Sequence, residues 1–135
     1  MARLNANPTV EASLAFDVVK PDTYDMRVET IEEFSAASGN TCWKVKLSYV
    51  DPSACTKENG EPATNPGNVF DNSLVVSPAE KQGKLRGFVE ACGRAWTDLD
   101  SDELIGCDVT VKVIKEEYPQ GSGNWSNKAG RYLIK

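Results

Sequence analysis

Histidine is missing altogether from the 135 residues. Without it the chain has no side chain whose ordinary pKa lies between pH 5 and 8, so the commonest general base and the commonest zinc ligand are both excluded. The four cysteines, Cys42, Cys55, Cys92 and Cys107, are widely spaced and form no CxxC pair. That spacing suits neither a zinc knuckle nor a dithiol redox motif, and reduced structural thiols are expected. A GxxxxGK[ST] phosphate loop and a GxSxG nucleophile elbow are absent as well. Paired glutamates occur only as Glu32–Glu33 and Glu116–Glu117 next to strand ends, where adjacent side chains point to opposite faces. No enzyme, no metal and no cofactor is therefore expected.

Two further shortages bound the setting. No apolar run approaches the roughly 18 residues of a membrane span, and the opening "MARLNANPTVEASLAF" lacks the apolar stretch of a secretory signal. The expectation is a soluble, intracellular protein without a membrane partner. Basic charge is also in deficit, with 15 Lys and Arg against 20 Asp and Glu and a formal charge of -5. That balance argues against coating duplex DNA through bulk charge, although a local basic groove on an acidic body can still steer a polyanion.

What the chain does have is alternation. In "TCWKVKLSYV", residues 41 to 50, Trp43, Val45, Leu47 and Tyr49 alternate with Lys44, Lys46 and Ser48, the pattern of a strand with one face in a core and a lysine-bearing face outside. "TYDMRVETI" sets Tyr24, Met26 and Val28 against Asp25, Arg27 and Glu29, and the turn-rich "SAASGN" at 35 to 40 joins these two strands as a hairpin. "CDVTVKVIKEEY" alternates again through Val109, Val111 and Val113, with Lys112 an ordinary outward residue, and "KAGRYLIK" closes the chain as a further strand. "VFDNSLVV", residues 69 to 76, is a strand whose register stays open, since Phe70 suits the core or the outside equally.

Between strands, "DPSACTKENGEPATNPGN" at 51 to 68 holds three prolines and two glycines and predicts a long, exposed, mobile loop. Ser77-Pro78-Ala79-Glu80 reads as a capping box that opens a helix over 78 to 92, with Leu85, Phe88, Val89 and Cys92 on its apolar face and Gly93 as its stop. Lys81, Lys84 and Arg86 then form a solvated helix face. The acids of "TDLDSDELIG" are better explained by one capped turn, started by Asp100 or Ser101 and burying Leu104 and Ile105, than by a divalent cation site.

A chain of this length, 40% hydrophobic, fills one domain. Residues 1 to 20 read as an N-terminal arm, with an extra edge strand through "SLAFDVV" as an option, and 21 to 135 as a single domain. Three strands, a helix and two strands is the order of a mainly β, five-stranded OB-fold Greek-key barrel with its helix between strands 3 and 4. This fold binds oligonucleotides on the wall of strands 2 and 3 and with the loops joining strands 1–2 and 4–5. Lys44 and Lys46 fall on that wall. Trp125, in the glycine-flanked "GSGNWSNK" with Lys128 and Arg131 beyond it, is either an exposed stacking platform or a lid folded on the barrel end. Together with Phe70 these residues are the candidate nucleic-acid contacts: cations for phosphate, rings for bases.

The runs "TYDMRVETIEEFSAASGNTCWKVKLSYVD", "VFDNSLVVSP", "KLRGFVEACG", "DELIGCDVTVKV" and "GRYLIK" resemble the small OB-fold single-stranded-DNA-binding proteins of bacteriophage replication and recombination modules. The resemblance implies sequence-tolerant coating of single-stranded DNA without catalysis, in the host cytoplasm. It implies phage or host replication and recombination proteins as further partners, with self-association left open. The competing reading is a protein-interaction or virion-associated barrel whose lysines bind nothing and whose Trp125 anchors a protein contact.

Overall fold

The computed structural model describes residues 2–6, 17–117, 120–123 and 125–134. Five strands carry the architecture: β1 Asp22–Ser35, β2 Thr41–Tyr49, β3 Asn68–Ser77, β4 Asp108–Glu117 and β5 Trp125–Leu133. They close into a barrel in the order β1-β2-β3-β5-β4, with β4 returning to pair antiparallel with β1. Among the described residues, the single parallel contact joins β3 to β5, where Phe70 lies opposite Lys128. One α-helix, α1 Gly83–Ala91, lies between β3 and β4. This is a mainly β barrel consistent with an OB-fold, as the element order predicts.

Period-two patterning fills the interior. Met26 and Val28 of β1, Val45 and Leu47 of β2, Val69 and Leu74 of β3, and Val109, Val111 and Val113 of β4 are all buried in one core. Phe88 of α1 joins them and meets Tyr132 edge to face, with ring centroids 4.9 Å apart. Gly93 ends the helix at φ +82°, a left-handed conformation that glycine adopts without steric cost. It lets Arg94 N–H donate to the Val89 carbonyl at 3.2 Å.

Several expectations need correction. The helix does not begin at Pro78: Ser77 stays in β3, paired with Thr41, so its hydroxyl is not placed to cap. A 3-10 turn over Ala79–Lys81 intervenes, and the α-helix starts after Gln82, whose side-chain amide donates to the Val76 carbonyl at 2.6 Å. Segment 51 to 67 is not wholly exposed. Cys55 and Ala63 are buried, Thr56 bridges Pro62, and Ala63 N–H donates to the Cys55 carbonyl at 3.0 Å. Asp100 does cap the turn Ser101–Leu104 in a reciprocal box with Glu103, and it buries Leu104 but leaves Ile105 exposed.

Lys84 is the clearest reversal. It does not sit on a solvated face but ion-pairs with Asp71 at 3.1 Å and donates to the Ala129 carbonyl at 3.0 Å. Asp71, only 3% exposed, also accepts from the Tyr132 hydroxyl at 2.7 Å and the Ser73 hydroxyl at 2.6 Å. A buried carboxylate without partners costs several kcal/mol, and this knot supplies them while fastening α1 to β3 and β5. Burial, reinforced by Asp71, pushes the Tyr132 phenol far above its ordinary range.

Of the expected edge strand, Ser13–Phe16 lie outside the described residues. Residues 17–20 form no strand. Val19 is buried in the core and held by Asn127, whose side chain accepts from Val19 N–H at 2.8 Å and donates to its carbonyl at 2.9 Å. Asp17 and Lys20 N–H groups donate to the Asn65 and Thr56 carbonyls, each at 2.8 Å. The segment thus ties the 51–67 excursion to β5.

Candidate nucleic-acid interface

The site is built on the outer wall of β2, β3 and β5. Because Val69 and Asp71 both turn inward, Phe70 between them turns out and is 43% exposed, which settles the register left open by the sequence. Lys46 lies directly opposite it on β2, and Lys128 directly opposite on β5. Directly opposed residues share a face of the sheet, so a ring stands between two cations across three adjacent strands. Lys44, two residues along β2, brings its Nζ within 5.1 Å of the Phe70 ring centroid, a cation–π contact.

Trp125 is not a loop residue. It is the first residue of β5 and pairs with Glu117 of β4. Before Lys128, β5 is paired with β4 alone, so the β4–β5 hairpin runs past the closed wall and carries the indole with it. The ring is 47% exposed and does not close the barrel as a lid. Instead, Trp125, Phe70 and Lys128 line one groove of about 440 Å³, whose remaining wall includes Val18, Pro66 and Asn68. Phe70 also borders a neighbouring hollow of about 290 Å³ with Lys44 and Lys46. The phenyl ring borders both concavities, so the two lie side by side on the wall as a track.

Lys115 belongs to this site although the sequence did not single it out. Its Nζ sits 4.6 Å from the Trp125 ring centroid and 2.9 Å from a Glu58 carboxylate oxygen. By alternation it shares a side with the core residue Val113, and the sequence offered no sign that the hairpin leaves the barrel before reaching it. Lys128 is ion-paired with Glu116. Arg131 is not brought to the track: it lies past a bulge, opposite Lys112, and lines neither concavity. Gly130 at that bulge is required by packing, since a Cβ there would come within 2.8 Å of Ile114 Cγ2.

Carboxylates border both concavities: Glu32 lines the Lys44–Lys46 hollow and Asp17 the larger groove. Hydrogen bonding from Asn65 N–H, helped by Lys57 and Thr64, holds the Asp17 carboxyl below its ordinary range. Asp17 therefore remains a fixed negative charge tied to the 51–67 excursion. Among the described residues no group of three or more Cys, Asp or Glu is disposed to hold a metal ion, and all four cysteines are free thiols. No described helix is long and apolar enough to cross a membrane. The surface thus offers two exposed rings and four lysines along a track, an arrangement able to stack on unpaired bases and meet phosphates between them. Comparison with protein-family models finds no match to the chain, and comparison with curated proteins finds none either.

Proposed function

We propose that the protein binds single-stranded DNA with little sequence preference, as a strand-coating protein of phage replication or recombination. The observation that carries this reading is Phe70, exposed between Lys46 and Lys128 on adjacent strands, with Trp125 lining the same groove. Aromatic faces stack on any base, contributing about 1–3 kcal/mol per base, but only where the base is unpaired. Lysines spaced between the rings meet the backbone without reading sequence. The chain's acidic body, with a net charge of -5, disfavours the denser phosphate array of a duplex. No catalytic group is needed for this role.

The test is a titration with oligo-dT and with a duplex of equal length at matched salt, followed by tryptophan fluorescence. Tighter binding of the single strand, weakening as salt rises, is expected. Equal affinity for both forms defeats the single-strand reading. No binding of either at low salt leaves the protein-interaction barrel as the function.

A further inference from the structure

A second aromatic cleft lies where α1 and the segment after it meet the barrel. It measures about 270 Å³ and is lined by Trp43 of β2, Leu85 and Val89 of α1, and Trp96 and Asp98 beyond the helix. Both indoles are half-buried and packed against the core. The charged side chains nearest its two indoles are carboxylates. Glu33 lies directly across the β1–β2 ladder from Trp43, Asp98 is part of the lining, and both are exposed. Neither carboxylate belongs to an ion pair among the described residues.

The cations nearest in sequence do not fill the gap. Arg94 directs its guanidinium to the Glu103 carbonyl at 3.3 Å, and Lys81 stands on the exposed turn before Gln82. Two indole walls beside unpaired carboxylates complement a cation on an apolar stem. A planar guanidinium matches this best, because it stacks on an aromatic face, is weakly hydrated for a cation, and forks onto a carboxylate. We propose that the Trp43–Trp96 cleft receives an arginine side chain presented by a partner protein. Phosphate is repelled by the same carboxylates, so this site is separate from the nucleic-acid track and does not depend on that reading.

The experiment uses the whole protein and a minimal probe, N-acetyl-arginine N-methylamide, with its citrulline analogue as the isosteric uncharged control. The indole N–H resonances of Trp43, Trp96 and Trp125, assigned through single Trp→Phe variants, report where each probe binds. Saturable shifts at Trp43 and Trp96 with Trp125 unmoved are expected, with the citrulline analogue at least tenfold weaker. Asp98→Asn should weaken the arginine probe at least fivefold without lowering Tm, because Asp98 is exposed and has no ion pair among the described residues. Non-saturating shifts, an equal response to citrulline, or shifts centred on Trp125 overturn the proposal. So does self-association on raising protein concentration that shifts Trp43 and Trp96 with no probe present, which gives the cleft to a second copy of the chain.

Discussion

The two aromatic clefts of this small barrel set similar rings among different charges. Around Phe70 and Trp125 stand Lys44, Lys46, Lys115 and Lys128, with Asp17 and Glu32 also in the lining, whereas the charged groups beside Trp43 and Trp96 are Glu33 and Asp98. The rings also differ in what holds them. Trp43 and Trp96 pack against the core, while Phe70 and Trp125 stand exposed on the outer wall and the overhanging hairpin, each with a lysine over its ring. Aromatic content alone therefore says little about a ligand. The sign of the charge beside each ring decides which ligand it suits, and whether the core needs the ring decides what its loss costs the fold.

The largest effect expected from this contrast is on stability. Trp43→Ala should destabilise the fold by about 2–4 kcal/mol, a little under the usual cost of truncating a large buried aromatic because the indole is only half-buried. A urea or thermal melt measures it. A wild-type melting curve for this variant would place Trp43 with the exposed rings and dissolve the distinction.

Stability at the scaffold end should also fail in alkali. Burial, with Cys107 nearby, pushes the Cys92 thiol up to about 12 from an ordinary 9.0. A thiol raised in the folded state stays protonated there while the unfolded chain ionises. The stability it contributes is present below pH 9.0 and is lost as pH rises toward 12. Buried Tyr49 and Tyr132 are raised too and act in the same direction. Cys92→Ala should flatten the decline in Tm over this window, and an unchanged slope would remove Cys92 from the account.

On the other face the rings should matter for binding and not for folding. Trp125→Ala and Phe70→Ala are each expected to weaken oligo-dT binding by about 1–3 kcal/mol with Tm nearly unchanged. If Trp125→Ala lowers Tm as Trp43→Ala does, the indole is structural. Replacing Lys44 and Lys46 together by alanine should reduce the salt slope of binding by about 1.4, from roughly 0.7 per neutralised phosphate. An unchanged slope would mean that the DNA follows another wall.

Much of this contrast was legible in the sequence, and its gaps have physical causes. Strict alternation fixed the faces of β1, β2 and β4, and the order of elements fixed the barrel, because burial on one side of a strand leaves a period that survives without knowledge of partners. Phe70 was not readable, since its side is decided by Asp71 turning inward to meet Lys84 and Tyr132. An inward aspartate breaks the hydrophobic pattern, and its partners are distant in sequence. Lys84 was misread for the same reason. Ser77 looked like a cap because its local sequence is right for one, but pairing with Thr41 overrides that preference. Lys115 and the true position of Trp125 depend on where a hairpin leaves the barrel, a tertiary fact that leaves no trace in the alternation.

The smallest expected effect tests whether the lysine face is held in check by its own acids. Lys128 is ion-paired with Glu116, and Lys115 with Glu58, so a phosphate must displace a carboxylate at each before it binds. Both pairs are partly solvent-exposed, and exposed pairs contribute about 0.2–1 kcal/mol. Glu116→Gln keeps the shape of the side chain and removes its charge, leaving Lys128 free for the backbone. Oligo-dT affinity should then rise by up to about fivefold at low salt, and the gain should shrink as salt screens the pair. Glu58→Gln should act in the same direction through Lys115. Glu33→Gln, beside Trp43 and away from the track, is the matched control and should leave affinity unchanged. A loss of affinity in Glu116→Gln would show that the carboxylate holds Lys128 in its binding position, making the acid part of the site and not a competitor for it.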